Sequence, residues 1–114
     1  MFSRRIDEVN PVELSEQIED PSNGGIMVID VREPHEYYGD MGHIKGSRHI
    51  PLMELKDKID WLRDEKRKKV FVCNSGERSY YACSFLKDQG VEEVANLRGG
   101  MIQWHLSGLE VEYD

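Results

Sequence analysis

Cysteine carries the most nucleophilic ordinary side chain once it is ionised, and this chain has two, Cys73 and Cys83. Cys73 follows the apolar run Val70-Phe71-Val72 and opens the polar stretch Asn74-Ser75-Gly76-Glu77-Arg78-Ser79. A strand that ends in a short glycine-containing loop and then a helix is where open α/β folds bind ligands. Backbone N–H groups in such a loop can turn inward together, and the helix start adds positive potential. A thiolate at position 73 would be stabilised there, and the thiolate is the form that attacks a sulfur donor. The persulfide so formed is anionic as well and would sit among the same donors.

Position and loop composition fit a small buried apolar residue at Cys73 equally well, a common role of free cysteine. Gly76 favours the anion-binding reading, because a loop curling around an anion needs backbone freedom. Arg78 brings a fixed positive charge, either for an anionic donor or for a carboxylate such as Asp30 or Glu33. Cys83 lies beside Ala82 on the following helix and reads as a small core residue rather than a resolving thiol. His35, His43, His49 and His105 have no metal-ligand spacing among themselves or with the cysteines, so hydrogen bonding within the fold is expected of each. No metal and no cofactor is expected.

The elements that must position this loop can be read along the chain. Asn10-Pro11-Val12-Glu13 is a helix start, with Asn10 as cap, proline first and Glu13 reaching back. Leu14 and Ile18 would share its inner face, and Asp20-Pro21-Ser22-Asn23-Gly24-Gly25 ends it. Ile26 to Ile29 reads as a strand covered on both faces. Pro34 to Tyr38 suggests a short helix, Gly39, Gly42 and Gly46 a turn-rich connection, and Arg48-His49-Ile50 a short strand closed by Pro51. Leu52, Leu55, Ile59 and Leu62 are spaced for one helix face. Lys66-Arg67-Lys68-Lys69 has acidic residues close by and reads as a solvated loop rather than a nucleic-acid patch. After the strand Val70–Val72 come a helix over Ser79–Gln89 stopped by Gly90, a strand Val94–Leu97, and a last helix containing Trp104 after Gly99-Gly100. Strands alternating with helices imply an α/β domain with a mostly parallel sheet and helices on both faces.

At 114 residues the chain is sized for one domain, 1–114. Its formal charge of −7 argues against general nucleic-acid binding, which needs a basic face. Met1 to Glu8 has basic residues without a following apolar stretch, so no secretory signal is expected, and no run approaches a membrane span. Two cysteines are few for a disulfide-stapled domain, so a reducing compartment, the cytoplasm, is expected. The oligomeric state is not legible.

Four pieces in order resemble the rhodanese family in its single-domain form. Ile29-Asp30-Val31-Arg32-Glu33 with Glu36-Tyr37 resembles the early D-V-R segment, and Gly42-His43-Ile44 with Gly46 and Ile50-Pro51 the G-H-I segment. Cys73 to Ser79 resembles the active loop C-x-x-G-x-R-S, and Leu97-Arg98-Gly99-Gly100 with Trp104 and Gly108 the closing segment. The resemblance covers about Ile6 to Glu112. It implies a rhodanese-like three-layer α/β/α fold with a five-stranded, mostly parallel sheet, and Cys73 as the persulfide-forming residue. It also implies that the amides of Asn74, Ser75, Gly76, Glu77, Arg78 and Ser79 bind the outer sulfur, and that His43 is structural. The implied activity moves sulfane sulfur from a small donor such as thiosulfate to cyanide, a thiol or a protein. Two other readings compete. A cysteine phosphatase or arsenate reductase would need a C-x5-R loop, whereas four residues separate Cys73 from Arg78. A non-catalytic rhodanese-like binding module would often lack the loop cysteine, which is present here.

Overall fold

A computed structural model describes residues 5–20, 22 and 24–114. Residues 1–4, which carry part of the expected non-secretory start, and Pro21 and Asn23 of the first loop lie outside the described residues. The element order is β1 (Asp7–Val9), α1 (Pro11–Glu19), β2 (Ile26–Asp30), α2 (Pro34–Tyr37), β3 (Arg48–His49), a 3-10 helix (Leu52–Lys58), α3 (Ile59–Asp64), β4 (Lys68–Val72), α4 (Glu77–Asp88), β5 (Val94–Leu97) and α5 (Gly100–Leu106). The five strands form one sheet in the order β1-β5-β4-β2-β3. Every strand pairing is parallel.

The helices lie on both faces because the central strands are apolar on both. In β2, Met27 and Ile29 enter one core with Phe71, Leu55, Leu62, Ala82, Cys83 and Leu86. Val28 enters the other with Val70, Val72, Leu14, Met101 and Trp104. That alternation is the period of two along a strand, and it makes three layers, helices on either side of the sheet, the α/β/α arrangement that the resemblance implies. Among the described residues, no helix is long and apolar enough to cross a membrane.

The start of α1 has the expected reciprocal cap. Asn10 Oδ1 accepts from the Glu13 N–H at 2.8 Å, and the Asn10 N–H donates to Glu13 Oε1 at 3.0 Å. Its inner face is narrower than expected, for Leu14 is buried while Ile18 is 38% exposed. The stretch after Pro51 divides into a 3-10 helix and α3 instead of one α-helix. Leu52 and Leu55, then Ile59 and Leu62, are each three apart, a spacing that the tighter helix also serves. The basic run is not a solvated loop throughout. Lys68 and Lys69 begin β4, and the strand turns Lys69 inward to 1% exposure. Its Nζ donates to the carbonyls of Glu65 and Arg67 at 2.9 Å each, and burial lowers its pKa.

Candidate active site

β2 and β4 are neighbours, with Asp30 opposite Val72, so the loops that leave their C-terminal ends lie side by side. The loop after β4 carries Cys73. Gly76 caps α4 with a φ of +96°, a left-handed conformation that favours glycine. This turn brings the Gly76 N–H to 3.1 Å from Cys73 Sγ, and the first turn of α4 brings the Ser79 N–H to 3.4 Å. Ser79 Oγ lies 3.3 Å from the same sulfur. These amides belong to the unpaired N–H groups of a helix start, so the sulfur sits where negative charge is favoured.

The loop is shaped from behind by α5. The N–H of Met101 donates to the Cys73 carbonyl at 2.9 Å, and that of Ile102 to the Asn74 carbonyl at 3.0 Å. Those carbonyls are thereby drawn to the back of the loop, away from the sulfur. A Cβ on Gly100 would stand 2.3 Å from the Cys73 carbonyl oxygen and 2.4 Å from that of Asn74, so only glycine lets α5 come this close.

In front, the loop is fastened to α2. Arg78 makes two hydrogen bonds to Glu36, Nη1 to Oε1 and Nη2 to Oε2, each 2.9 Å. Asn74 Nδ2 donates to Glu36 Oε2 at 2.9 Å, and Arg32 Nη1 donates to Asn74 Oδ1 at 3.1 Å. Hydrogen bonding from Arg78 is the main reason the Glu36 carboxyl is held down to about 2, against the desolvation that would raise it. The same pairing raises the pKa of Arg78. Arg78 therefore pairs with a carboxylate, but with neither of those expected. Asp30 is bound to Arg32 at 2.9 Å with both side chains 1% exposed, and Glu33 is exposed.

Sequence position alone fits both an anion-binding loop residue and a small buried one at Cys73; the residue is fully buried, and loop amides nonetheless reach its sulfur. The loop closes directly on the sulfur because Gly76 and Ser79 reach it without an intervening group. Ser75 and Glu77 face outward, and with Gly76, Tyr80, Tyr81, Glu8, Arg98 and Gly99 they line a shallow cleft at the loop's rim. Of the six loop residues expected to bind the outer sulfur, Gly76 and Ser79 direct amides at Cys73, while Asn74 and Arg78 engage Glu36. Cys83 is fully buried, and burial pushes its thiol up to about 12, as suits a core residue.

His43 and His49 sandwich the Tyr37 ring, at 3.8 and 4.3 Å between ring centres. His43 Nδ1 donates to the Tyr37 carbonyl at 2.8 Å, and His49 Nε2 to that of Arg32 at 2.7 Å. The expected structural role fits these two, whereas His35 and His105 lie exposed on their helices. His43, Glu112 and Asp114 bring potential ligand atoms within 4.8 Å of one another, a grouping that spacing along the chain does not reveal.

The rhodanese-like domain family matches residues 10–107. The chain belongs to that family. Among its relatives is a sulfurtransferase of Allochromatium vinosum, 32% identical over 93% of this chain and 94% of its own length. A thiosulfate sulfurtransferase GlpE of Stutzerimonas stutzeri is 36% identical over 87% of this chain and 89% of its own. A solved rhodanese-related protein of Thermoplasma volcanium superposes with a TM-score of 0.80 at 33% identity, covering 95% of this chain and 99% of its own. A rhodanese-type function in the general sense is thus shared with named sulfurtransferases.

Within this rhodanese-like domain, Glu36, Arg32, Gly100 and Asn96, which contacts Ser79 Oγ and donates from Nδ2 to the Gly76 carbonyl at 3.0 Å, belong to the site although none was singled out as a site residue in the sequence. Arg32 and Glu36 stand in the D-V-R segment, and Gly100 in the closing segment, so the family motifs were the only signal for these three; Asn96 lies outside the motif pieces and had none.

Proposed function

We propose that this chain, as one rhodanese domain over 1–114, is a sulfurtransferase that carries sulfane sulfur as a persulfide on Cys73. The observation that carries this reading is the convergence of two backbone N–H groups at a helix start on Cys73 Sγ, at 3.1 and 3.4 Å. Such donors favour an anionic sulfur over a neutral one, in the attacking thiolate and in the persulfide alike.

In the first half-reaction the Cys73 thiolate attacks the outer sulfur of a donor such as thiosulfate. An S–S bond forms to Cys73, the donor's S–S bond breaks, and sulfite leaves with its electron pair. In the second, a nucleophile such as cyanide or a thiolate attacks the outer sulfur of the persulfide, and the Cys73 thiolate departs. Charge is conserved in both steps and no external reductant enters with cyanide. Because Cys73 is fully buried, a donor reaches it only when the rim formed by Ser75 and Glu77 parts. Arg78 is engaged by Glu36, so its guanidinium is committed to that carboxylate rather than to the donor's anionic end. The partners are a small sulfur donor and an acceptor that is a small nucleophile, a thiol or a protein; neither nucleic acid nor membrane is needed. Two free thiols suit a reducing compartment such as the cytoplasm.

Initial rates with thiosulfate and cyanide both varied test the two-step scheme. Parallel double-reciprocal lines are expected, and lines that intersect would contradict a covalent intermediate.

A further inference from the structure

Ser79 Oγ touches two groups that both want its single proton. One is Cys73 Sγ at 3.3 Å, and the other is Asn96 Oδ1. The orientation of the Asn96 amide decides between them. Asn96 Nδ2 donates to Glu8 Oε2 at 2.9 Å and to the Gly76 carbonyl at 3.0 Å, and both of these can only accept. The amide nitrogen is thus pinned on that side and Oδ1 must face Ser79. An amide oxygen has no proton to give, so the hydrogen between Oδ1 and Oγ is the one on Ser79. Turning that hydrogen toward the sulfur would leave two lone pairs facing each other in a pocket where Asn96 is 1% and Ser79 0% exposed. Ser79 therefore presents a lone pair to Cys73.

We propose that Asn96 is a positioning residue that turns the Ser79 hydroxyl's lone pair toward Cys73 Sγ, so that this hydroxyl can accept from a thiol but gives no hydrogen bond to a thiolate. The hydroxyl can donate to the thiolate only by giving up Asn96. Asn96 acts through Ser79 and touches no reacting atom. The loop amides alone then remain aimed at the charged form.

Titratable and charged groups stand on the elements around this loop: Glu77 and Arg78 at the start of α4 and Cys83 further along it, Asp30 at the end of β2 and Arg32 just after it, Glu36 on α2 and Glu8 on β1. The Ser79 hydroxyl bonds none of them, so the Ser79 substitution removes the hydroxyl and leaves their own contacts untouched.

The test follows thiolate ultraviolet absorbance against pH, after subtraction of the Cys73→Ala protein, for wild type, Ser79→Ala, Asn96→Leu and the double variant. It uses no sulfur donor, so it succeeds or fails separately from the sulfurtransferase reading whose nucleophile it concerns. Ser79→Ala removes the acceptor from the thiol and is expected to move the profile to lower pH. Asn96→Leu frees the hydroxyl to donate and is expected to move it the same way. Each gives roughly three- to tenfold more thiolate at a fixed pH below the midpoint, the worth of one hydrogen bond. Adding Asn96→Leu to Ser79→Ala should then change nothing further. A profile that stays or rises in Ser79→Ala overturns the proposal, even if Asn96→Leu fails to fold. So does an Asn96→Leu effect that persists without the Ser79 hydroxyl.

Discussion

Replacing Glu36 by Gln removes the charge that fastens the active loop to α2. The Glu36 carboxyl is brought from 4.5 to about 2, and at about 1.4 kcal/mol for each tenfold in proton affinity this is worth roughly 3 kcal/mol. The Arg78 side chain is 39% exposed, so solvent screens the pair, and about 1–2 kcal/mol is the stability expected to be lost near neutrality. The pH dependence follows from the direction of the shift. A folded-state value below the unfolded one stabilises the protein fully above 4.5, and that stability fades as the pH falls toward about 2. Chemical denaturation of wild type and E36Q at a series of pH values reads it directly. The two should differ by about 1–2 kcal/mol at pH 7, and the gap should narrow below 4.5 and close as the pH falls to about 2. Equal stability at pH 7, or a gap that does not narrow in acid, would refute the clasp as an electrostatic element.

Three other substitutions separate chemistry from scaffold. Cys73→Ser should abolish sulfur transfer and leave the circular dichroism spectrum unchanged. Cys83→Ser should keep transfer within a few-fold while lowering stability by about 1–2 kcal/mol, since a hydroxyl would enter a closed apolar core. Gly100→Ala sets a Cβ against two loop carbonyls at a φ of +59°, so a loss of about 2 kcal/mol or more in denaturation, with loss of transfer, is expected.

The active loop was legible because its chemistry is contiguous. Nucleophile, flexible glycine, arginine and helix start lie within seven consecutive residues, Cys73 to Ser79. What closes and tunes it was not, because those contacts join distant parts of the chain. Arg78 meets Glu36 across 42 positions and Asn96 meets the Gly76 carbonyl across 20, and nothing in local composition marks either pair. The central strands could be read from their continuous apolar runs. The edge strand β1 could not, since its three residues, Asp7 to Val9, show little more than a charged turn until β5 pairs with them. Lys69 misled for a related reason. In a run of basic residues its charge suggested solvent, yet the strand's alternation turned it inward, where two carbonyls receive it. The depth of Cys73 was likewise hidden, because whether a loop stands open or folds onto its own sulfur depends on the φ of Gly76 and on the backing of α5.

The direct measurement is mass spectrometry of the protein after incubation with thiosulfate and removal of the excess. One added sulfur on the peptide that holds Cys73, lost on addition of cyanide, is the predicted result. An unmodified Cys73 peptide, or sulfur found on Cys83 instead, would contradict it.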